Sequence, residues 1–216
     1  MPTSTDFARA REAMVEYQLR VRDIVDERVL EAMRKVPREL FVPQDDRDRA
    51  YDDAALPIGH GQTISQPYMV AKISEAPSLR GHERVLDVGT GSGYQAAVLA
   101  ELAAEVVTIE RIPDLAAQAE ENLKAAGYER VDVRVGDGTL GVPDRAPYSA
   151  IAVAAAAPGL PQSLYDQLEP GGRLVVPVGG RRAQELQVIV RSPEGPAVVR
   201  SVPCRFVPLR GQEGFE

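Results

Sequence analysis

The stretch Arg84 to Gln95, RVLDVGTGSGYQ, constrains the fold more than any other part of the chain. Val85, Leu86 and Val88 form an apolar run that feeds directly into Gly89-Thr90-Gly91-Ser92-Gly93. An apolar helical pattern of Tyr94, Ala97, Val98 and Leu102 follows at once. A strand, a glycine turn and a helix start, in that order, bring a small ligand close to the backbone in open α/β sheets. The glycines are spaced two and two, not the two and three of the dinucleotide fingerprint. Asp87 sits at the end of the strand, one residue short of its last position Val88 and just ahead of the first glycine. A carboxylate there repels a pyrophosphate but suits a ligand carrying an ammonium and a sulfonium, as S-adenosylmethionine does.

The rhythm after Val85 supports this reading. Strands are predicted at Arg84–Val88, Val106–Ile109, Val131–Val135, Ala150–Val153 and Arg173–Val178, with helices at Tyr94–Ala103, Pro113–Ala126 and Pro161–Leu168 between them. Such alternation builds a parallel sheet covered by helices on both faces. Pro170-Gly171-Gly172 reads as a turn. Gln184–Arg191 and Ala197–Val202, joined by Ser192-Pro193-Glu194-Gly195, read as an antiparallel hairpin at the sheet edge. Before residue 81 the pattern is different. A helix is predicted from Asp6 to about Arg22, and a second, capped by Asp26, runs to Pro37. A short polar stretch opens at Pro43. Asp52 to Gln66 reads as a loop, and a helix begins near Pro67 with Ser65 or Gln66 as its cap. The expected organisation is one domain over 1–216, with helices and a loop in 1–80 and the sheet and hairpin in 81–216.

Three acidic residues end successive strands. Glu110 follows the second strand at about the 20-residue spacing that lets a carboxylate reach ribose hydroxyls. Asp137, within Gly136-Asp137-Gly138, follows the third and can accept from an adenine amino group. With Asp87 they share the carboxyl edge of the sheet, where ligands of such folds bind. Each has a plainer reading, because an acidic residue at a strand end often caps the next helix.

Composition narrows the function. Hydrophobic residues make up 44% of the chain and charged ones 26%, as in a globular protein with a substantial core. A net charge of -7 argues against binding that depends on neutralising phosphates, so no nucleic-acid partner is expected. Arg181-Arg182 reads as a solvated turn. The single cysteine, Cys204, permits no intrachain disulfide and reads as a small buried hydrophobe. No metal-ligand cluster, signal peptide or membrane span is apparent, so a cytoplasmic enzyme is expected.

The segment Leu56 to Ala71, LPIGHGQTISQPYMVA, taken with VLDVGTGSGYQ, resembles the protein-L-isoaspartate (D-aspartate) O-methyltransferase family. The likeness continues through MVEYQLRVRDIVDERVLEAMRKVPRELFVP, LEPGGRLVVPVG and CRFVPLRG, and covers nearly the whole chain. The glycine motif is shared by many methyltransferases, whereas PIGHGQTISQP is specific. The resemblance implies a class I, Rossmann-like methyltransferase fold with an N-terminal helical extension. It implies methyl esterification of the free α-carboxylate of L-isoaspartyl residues in damaged proteins and peptides, and leaves activity on D-aspartyl residues open. S-adenosylmethionine is the implied cofactor and S-adenosylhomocysteine the product. Ser65 is implied beside the acceptor carboxylate; Thr63, Ile64, Asp87, Gly89, Gly91, Gly93, Glu110, Arg111, Asp137 and Gly138 around the cofactor; and Ile58, His60, Val207 and Leu209 on the substrate side. From the residues alone, Ser65 could be a helix cap, His60 a solvent-facing loop residue, and Tyr68 either a cofactor cover or a packing residue. Ala154, Ser149 and Arg210 depart from the family pattern at the substrate rim. Arg210 there could attract an acidic peptide flank or stay solvated. The alternative function is a related methyltransferase acting on another carboxylate or a small molecule.

Overall fold

The computed structural model describes residues 3–216. The first helix, α1 (Ser4–Met14), begins with a capping box: the Thr3 hydroxyl accepts from the Asp6 N–H, and the Asp6 carboxylate accepts from the Thr3 N–H. It runs on as π-helix over Val15–Arg20. Asp26 caps α2 (Glu27–Lys35) by accepting from the Arg28 N–H at 2.8 Å. Two short 3₁₀ segments, Arg38–Phe41 and Gln44–Arg49, follow.

The stretch expected as a loop contains a small antiparallel hairpin, β1 (Leu56–Gly59) and β2 (Gln62–Ile64). Its turn uses left-handed backbone at Gly59, His60 and Gly61. The next helix, α3 (Pro67–Glu75), has Gln66 at its cap position but no side-chain cap bond. Gln66 rather than Ser65 thus holds the expected cap position, but without a side-chain capping bond. Pro67 supplies the helical φ and needs no donor partner there.

The remaining elements are β3 (Arg84–Val88), α4 (Tyr94–Ala100), β4 (Glu105–Glu110), α5 (Pro113–Ala125), β5 (Asp132–Val135), β6 (Tyr148–Val153), α6 (Gln162–Asp166), β7 (Leu168–Gly179), β8 (Gln184–Ser192) and β9 (Gly195–Cys204). The strands from β3 onward form one seven-stranded sheet in the order β5-β4-β3-β6-β7-β8-β9. Neighbours are parallel from β5 to β7 and antiparallel from β7 to β9. The order reverses at β3, so β4 and β6 flank it and a crevice opens at their carboxyl ends. Pro170-Gly171-Gly172 lies within β7 rather than before it. There the ladder slips, with Tyr148 opposite Leu168 and Ala150 already opposite Arg173. The turn expected from the sequence is thus a bulge in a longer strand.

Alternation along each strand divides the core. Val85, Val106, Ala150, Val175 and Leu186 pack against α2, α3 and α4 on one face. Leu86, Val88, Ile109, Ile151 and Leu174 pack with Leu164 and Leu168 on the other. Burial of both faces explains why β3 and β6 read as continuous apolar runs. Residues of the N-terminal helices and of the sheet share one core cluster. Cys204 is half-buried against that core, and burial pushes its thiol up to about 11. No described helix is long and apolar enough to cross a membrane.

Candidate functional site

The carboxyl ends of β3, β4 and β6 open onto a cleft of about 860 Å³, its mouth included. The glycine turn forms its floor. Gly89, Gly91 and Gly93 have φ of 95°, 54° and 91°, a region that residues with a Cβ rarely occupy. Space is short as well: a Cβ on Gly91 would lie 3.3 Å from Ile58 Cδ1, and one on Gly93 3.1 Å from Leu123 Cγ. The turn is held by its own amides, since the N–H groups of Gly89 and Thr90 both donate to the Ile109 carbonyl.

Glu110 ends β4 and is 7% exposed. One of its oxygens accepts from the Gly91 N–H at 2.9 Å and the other from the Ile112 N–H at 3.0 Å. Each carboxylate oxygen retains a second lone pair, so Glu110 can still accept from two vicinal hydroxyls. The same bonds tie this carboxylate to the glycine turn.

Asp87 stands behind this wall rather than in the cleft. It is fully buried and accepts from Gln95 Nε2 at 2.7 Å and from the Thr108 hydroxyl at 2.8 Å. Thr108 in turn shares a 2.7 Å hydrogen bond with Thr90 in the glycine turn. The carboxyl group therefore links β3, β4, α4 and the turn in one strut. Burial pushes Asp87 up to about 7, the nearby Glu110 charge adding to the rise while the two hydrogen bonds oppose it. An ammonium or sulfonium in the cleft would favour its ionised form.

Asp137 points to the C-terminal tail. It accepts from the Thr139 N–H and hydroxyl through one oxygen and from the Gln212 N–H through the other. Burial raises its pKa, but these bonds and the Arg111 charge prevail and hold it below the usual carboxylate range. Any ligand donor must therefore compete with three protein donors for this carboxylate. Gly138, next to it, lines the cleft, and a Cβ there would come within 2.8 Å of Val88 Cγ1.

The opposite wall comes from β2 and the tail. Thr63, Ile64 and Ser65 line the cleft together with Arg111, Val207 and Leu209. The tail is bound to the strand ends: the Ala156 N–H donates to the Val207 carbonyl at 2.8 Å and the Leu209 N–H to the Ala156 carbonyl at 2.7 Å. A second cleft adjoins the first, and Thr63, Ser65, Ala154, Val207 and Pro208 line both. Ser65 thus sits at a threshold between two spaces.

Sequence reasoning missed the residue that fixes Ser65. Arg38 is fully buried without a carboxylate partner. Its Nε donates to the Ala50 carbonyl at 2.7 Å and one terminal nitrogen to the Ser65 carbonyl at 2.9 Å, while its guanidinium lies 4.8 Å over the Tyr94 ring. Burial lowers its pKa. The planar fork reaches two carbonyls and a ring face at once, which an ammonium cannot do. A buried arginine in the polar run Pro37-Arg38-Glu39 gives no periodic signal.

Other expected residues lie at the margin. Ile58 packs against Gly91 from the hairpin. His60 is exposed at the hairpin turn, with Nε2 4.0 Å from an Asp114 oxygen at the start of α5. Tyr68 is away from the cleft: its hydroxyl donates to Asp23 at 2.7 Å and its ring lies under the Arg22 guanidinium. It is a packing residue rather than a cofactor cover. Among the described residues no group of histidine, cysteine or acidic side chains could hold a metal ion.

Known proteins give the cleft its context. Residues 9–214 match the family model described as protein-L-isoaspartate(D-aspartate) O-methyltransferase. A protein-L-isoaspartate O-methyltransferase of Methanoculleus marisnigri is 58% identical over 211 residues, covering 96% of this chain and 94% of that protein. One from Syntrophobacter fumaroxidans is 56% identical, covering 98% and 99%. A Plasmodium falciparum structure with S-adenosyl-L-homocysteine bound superposes with a TM-score of 0.79 at 26% identity, covering 93% of this chain and 98% of that one.

Proposed function

The chain belongs to the protein-L-isoaspartate(D-aspartate) O-methyltransferase family, and we propose that it esterifies the free α-carboxylate of L-isoaspartyl residues in proteins and peptides. The observation that carries the reading is Ser65 at the junction of two clefts, one floored by the glycine turn and Glu110, the other opening toward the tail. In this reading the first holds S-adenosylmethionine and the second the peptide. We read the whole chain as a single cytoplasmic domain with no nucleic-acid partner.

The first cleft fits that cofactor. Glu110 keeps lone pairs for the ribose hydroxyls. Gly89, Gly91 and Gly138 let the ligand approach the backbone. Thr63 and Ile64 close the cleft from β2, Arg111 borders it beyond Glu110, and Asp137 is the acceptor assigned to the adenine edge. Gly93 and Asp87 act from beneath, one by turning the chain into α4 and the other by bracing the turn.

S-adenosylmethionine supplies a methyl group activated by its sulfonium. The acceptor carboxylate, with an unperturbed pKa of roughly 3.5, is already ionised near neutral pH, so the site needs no general base. Its oxygen forms the new O–C bond as the C–S bond breaks, and no proton moves. The protein has to place the carboxylate oxygen in line and about 3 Å from the methyl carbon. The Ser65 hydroxyl, free of any capping duty, donates a hydrogen bond that orients it. Arg38 holds the Ser65 carbonyl and so fixes the backbone from which the hydroxyl projects. Val207, Leu209, Ile58 and His60 border the peptide side. Because opposite charges cancel as the bond forms, a site that excludes water favours the transition state. The ester then reacts without the enzyme: the neighbouring backbone amide nitrogen attacks its carbonyl, methanol leaves, and the succinimide hydrolyses partly to normal aspartate.

The test is incubation with S-adenosylmethionine and an isoaspartyl peptide, followed by mass spectrometry. The expected product is a peptide heavier by one methyl group, lost in mild base as methanol with a succinimide appearing. A base-stable methyl group would place the modification elsewhere and remove the reading.

A further inference from the structure

The second cleft is basic although the chain as a whole carries a charge of -7. Arg181, from the turn between β7 and β8, and Arg205, just after β9, both line it, and no acidic side chain does. Both arginines are exposed, and neither is among the ion pairs formed by the described residues. Arg181 is placed by the tail, its guanidinium 5.9 Å from the centre of the Phe215 ring. Asp53, which does not line the cleft but accepts from Nε2 of the lining residue Gln66, is already held by Arg22. Arg210 borders the first cleft and donates to the Glu216 carbonyl.

We propose that Arg181 and Arg205 form a subsite for an acidic side chain flanking the modified residue, so that the enzyme prefers isoaspartyl sites in acidic sequence. The proposal rests on the second cleft being the peptide's. A residue spans at most about 3.3–3.6 Å of extended chain, so a flank two or three positions from the modified residue reaches roughly 7–11 Å along the peptide, and Ser65, Arg181 and Arg205 line the same cleft. At about 0.1 M salt the Debye length is roughly 10 Å, so two local guanidinium groups outweigh the more distant acidic surface. Exposed arginine–carboxylate pairs are each worth a factor of roughly two to five in affinity. Two of them give a preference on the order of tenfold.

The experiment compares matched isoaspartyl peptides whose flanking residues are glutamate or lysine, reading kcat/KM for each. Wild type should favour the acidic peptide by roughly five- to tenfold, mostly through KM. In the Arg181→Glu, Arg205→Glu double variant the order should reverse, and about 1 M salt should flatten the wild-type ratio as the Debye length falls to about 3 Å. A wild-type ratio near one, or a ratio unchanged in the double variant, overturns the subsite. Anisotropy of the two labelled peptides supplies an independent measure. Acidic preference in binding without methylation of either peptide would uphold the subsite and sink the isoaspartyl reading. Equal methylation of both would do the reverse.

Discussion

Replacing Asp87 with asparagine should change how stability depends on pH, because Asp87 acts in a direction opposite to that of paired carboxylates such as Asp23 and Glu105. Asp87 is fully buried, and its pKa rises from the ordinary 3.8 to about 7, mainly because burial disfavours the charge. The folded protein then keeps a proton that the unfolded chain has already lost. Stability from this group is fully present below about pH 4 and is lost as pH climbs through the folded value. The window is set by those two pKa values. At about 1.36 kcal/mol per unit, the whole loss is about 4 kcal/mol, with a slope of about 1.4 kcal/mol per pH unit in the middle. An asparagine here would keep a side-chain oxygen for Gln95 or Thr108 and would not titrate. Paired groups such as Asp23 and Glu105, whose pKa values are lowered by Lys72 and Arg84, act oppositely and are common to both proteins. They cancel in the difference. Urea unfolding of wild type and Asp87→Asn between about pH 4 and 8 should show the variant gaining on wild type by about 4 kcal/mol across the window. A difference that is flat with pH, or that moves in favour of wild type, would refute the claim that burial governs Asp87.

Three further substitutions separate the roles within the cleft. Glu110→Ala should weaken S-adenosylmethionine binding by roughly 1.5–3 kcal/mol, the worth of hydrogen bonds to a charged group, as read by calorimetry on folded protein. Unchanged affinity would remove Glu110 from the ribose. Ser65→Ala should lower turnover on an isoaspartyl peptide while cofactor affinity stays within a few-fold, and wild-type turnover would leave the hydroxyl without a role. Arg38→Met should destabilise the protein by about 2 kcal/mol, because the Ala50 and Ser65 carbonyls lose their donor, and should lower kcat more than it changes cofactor affinity. Full kcat in a destabilised variant would reduce Arg38 to packing.

How far the sequence foretells this molecule differs from region to region. The β3–turn–α4 unit is legible because an apolar run, three glycines and a helical stripe agree over consecutive residues. The strands buried on both faces are legible for the same reason. The β1–β2 hairpin is not, because its strands are only four and three residues long and the first carries a proline and a glycine, so no alternation develops. The bulge in β7 reads as a turn before a strand, since Pro170-Gly171-Gly172 carries turn chemistry whichever side of it the ladder lies. At the site, the strand-end positions of Asp87, Glu110 and Asp137 follow from the alternation, but the directions of their side chains do not. Thr108 and Gln95 turn Asp87 inward, and residues of the tail engage Asp137, mostly through contacts between segments apart in the chain. Arg38 is invisible for a related reason: its partners, Ala50 and Ser65, are backbone carbonyls, which leave no trace in residue type.

Isoaspartyl esterification itself is tested most sharply by radiolabelled methyl transfer to two peptides of identical composition, one isoaspartyl and one aspartyl. The free carboxylate of the isoaspartyl form hangs one methylene nearer the main chain. If, as we propose, the loop Ile58 to Gln66 and the segment Phe206 to Arg210 grip the peptide backbone, only that form brings its oxygen to the methyl group beside Ser65. A displacement of about 1 Å costs on the order of a hundredfold in rate. We expect at least that ratio in kcat/KM, with label released by mild base. Comparable labelling of both peptides would contradict it.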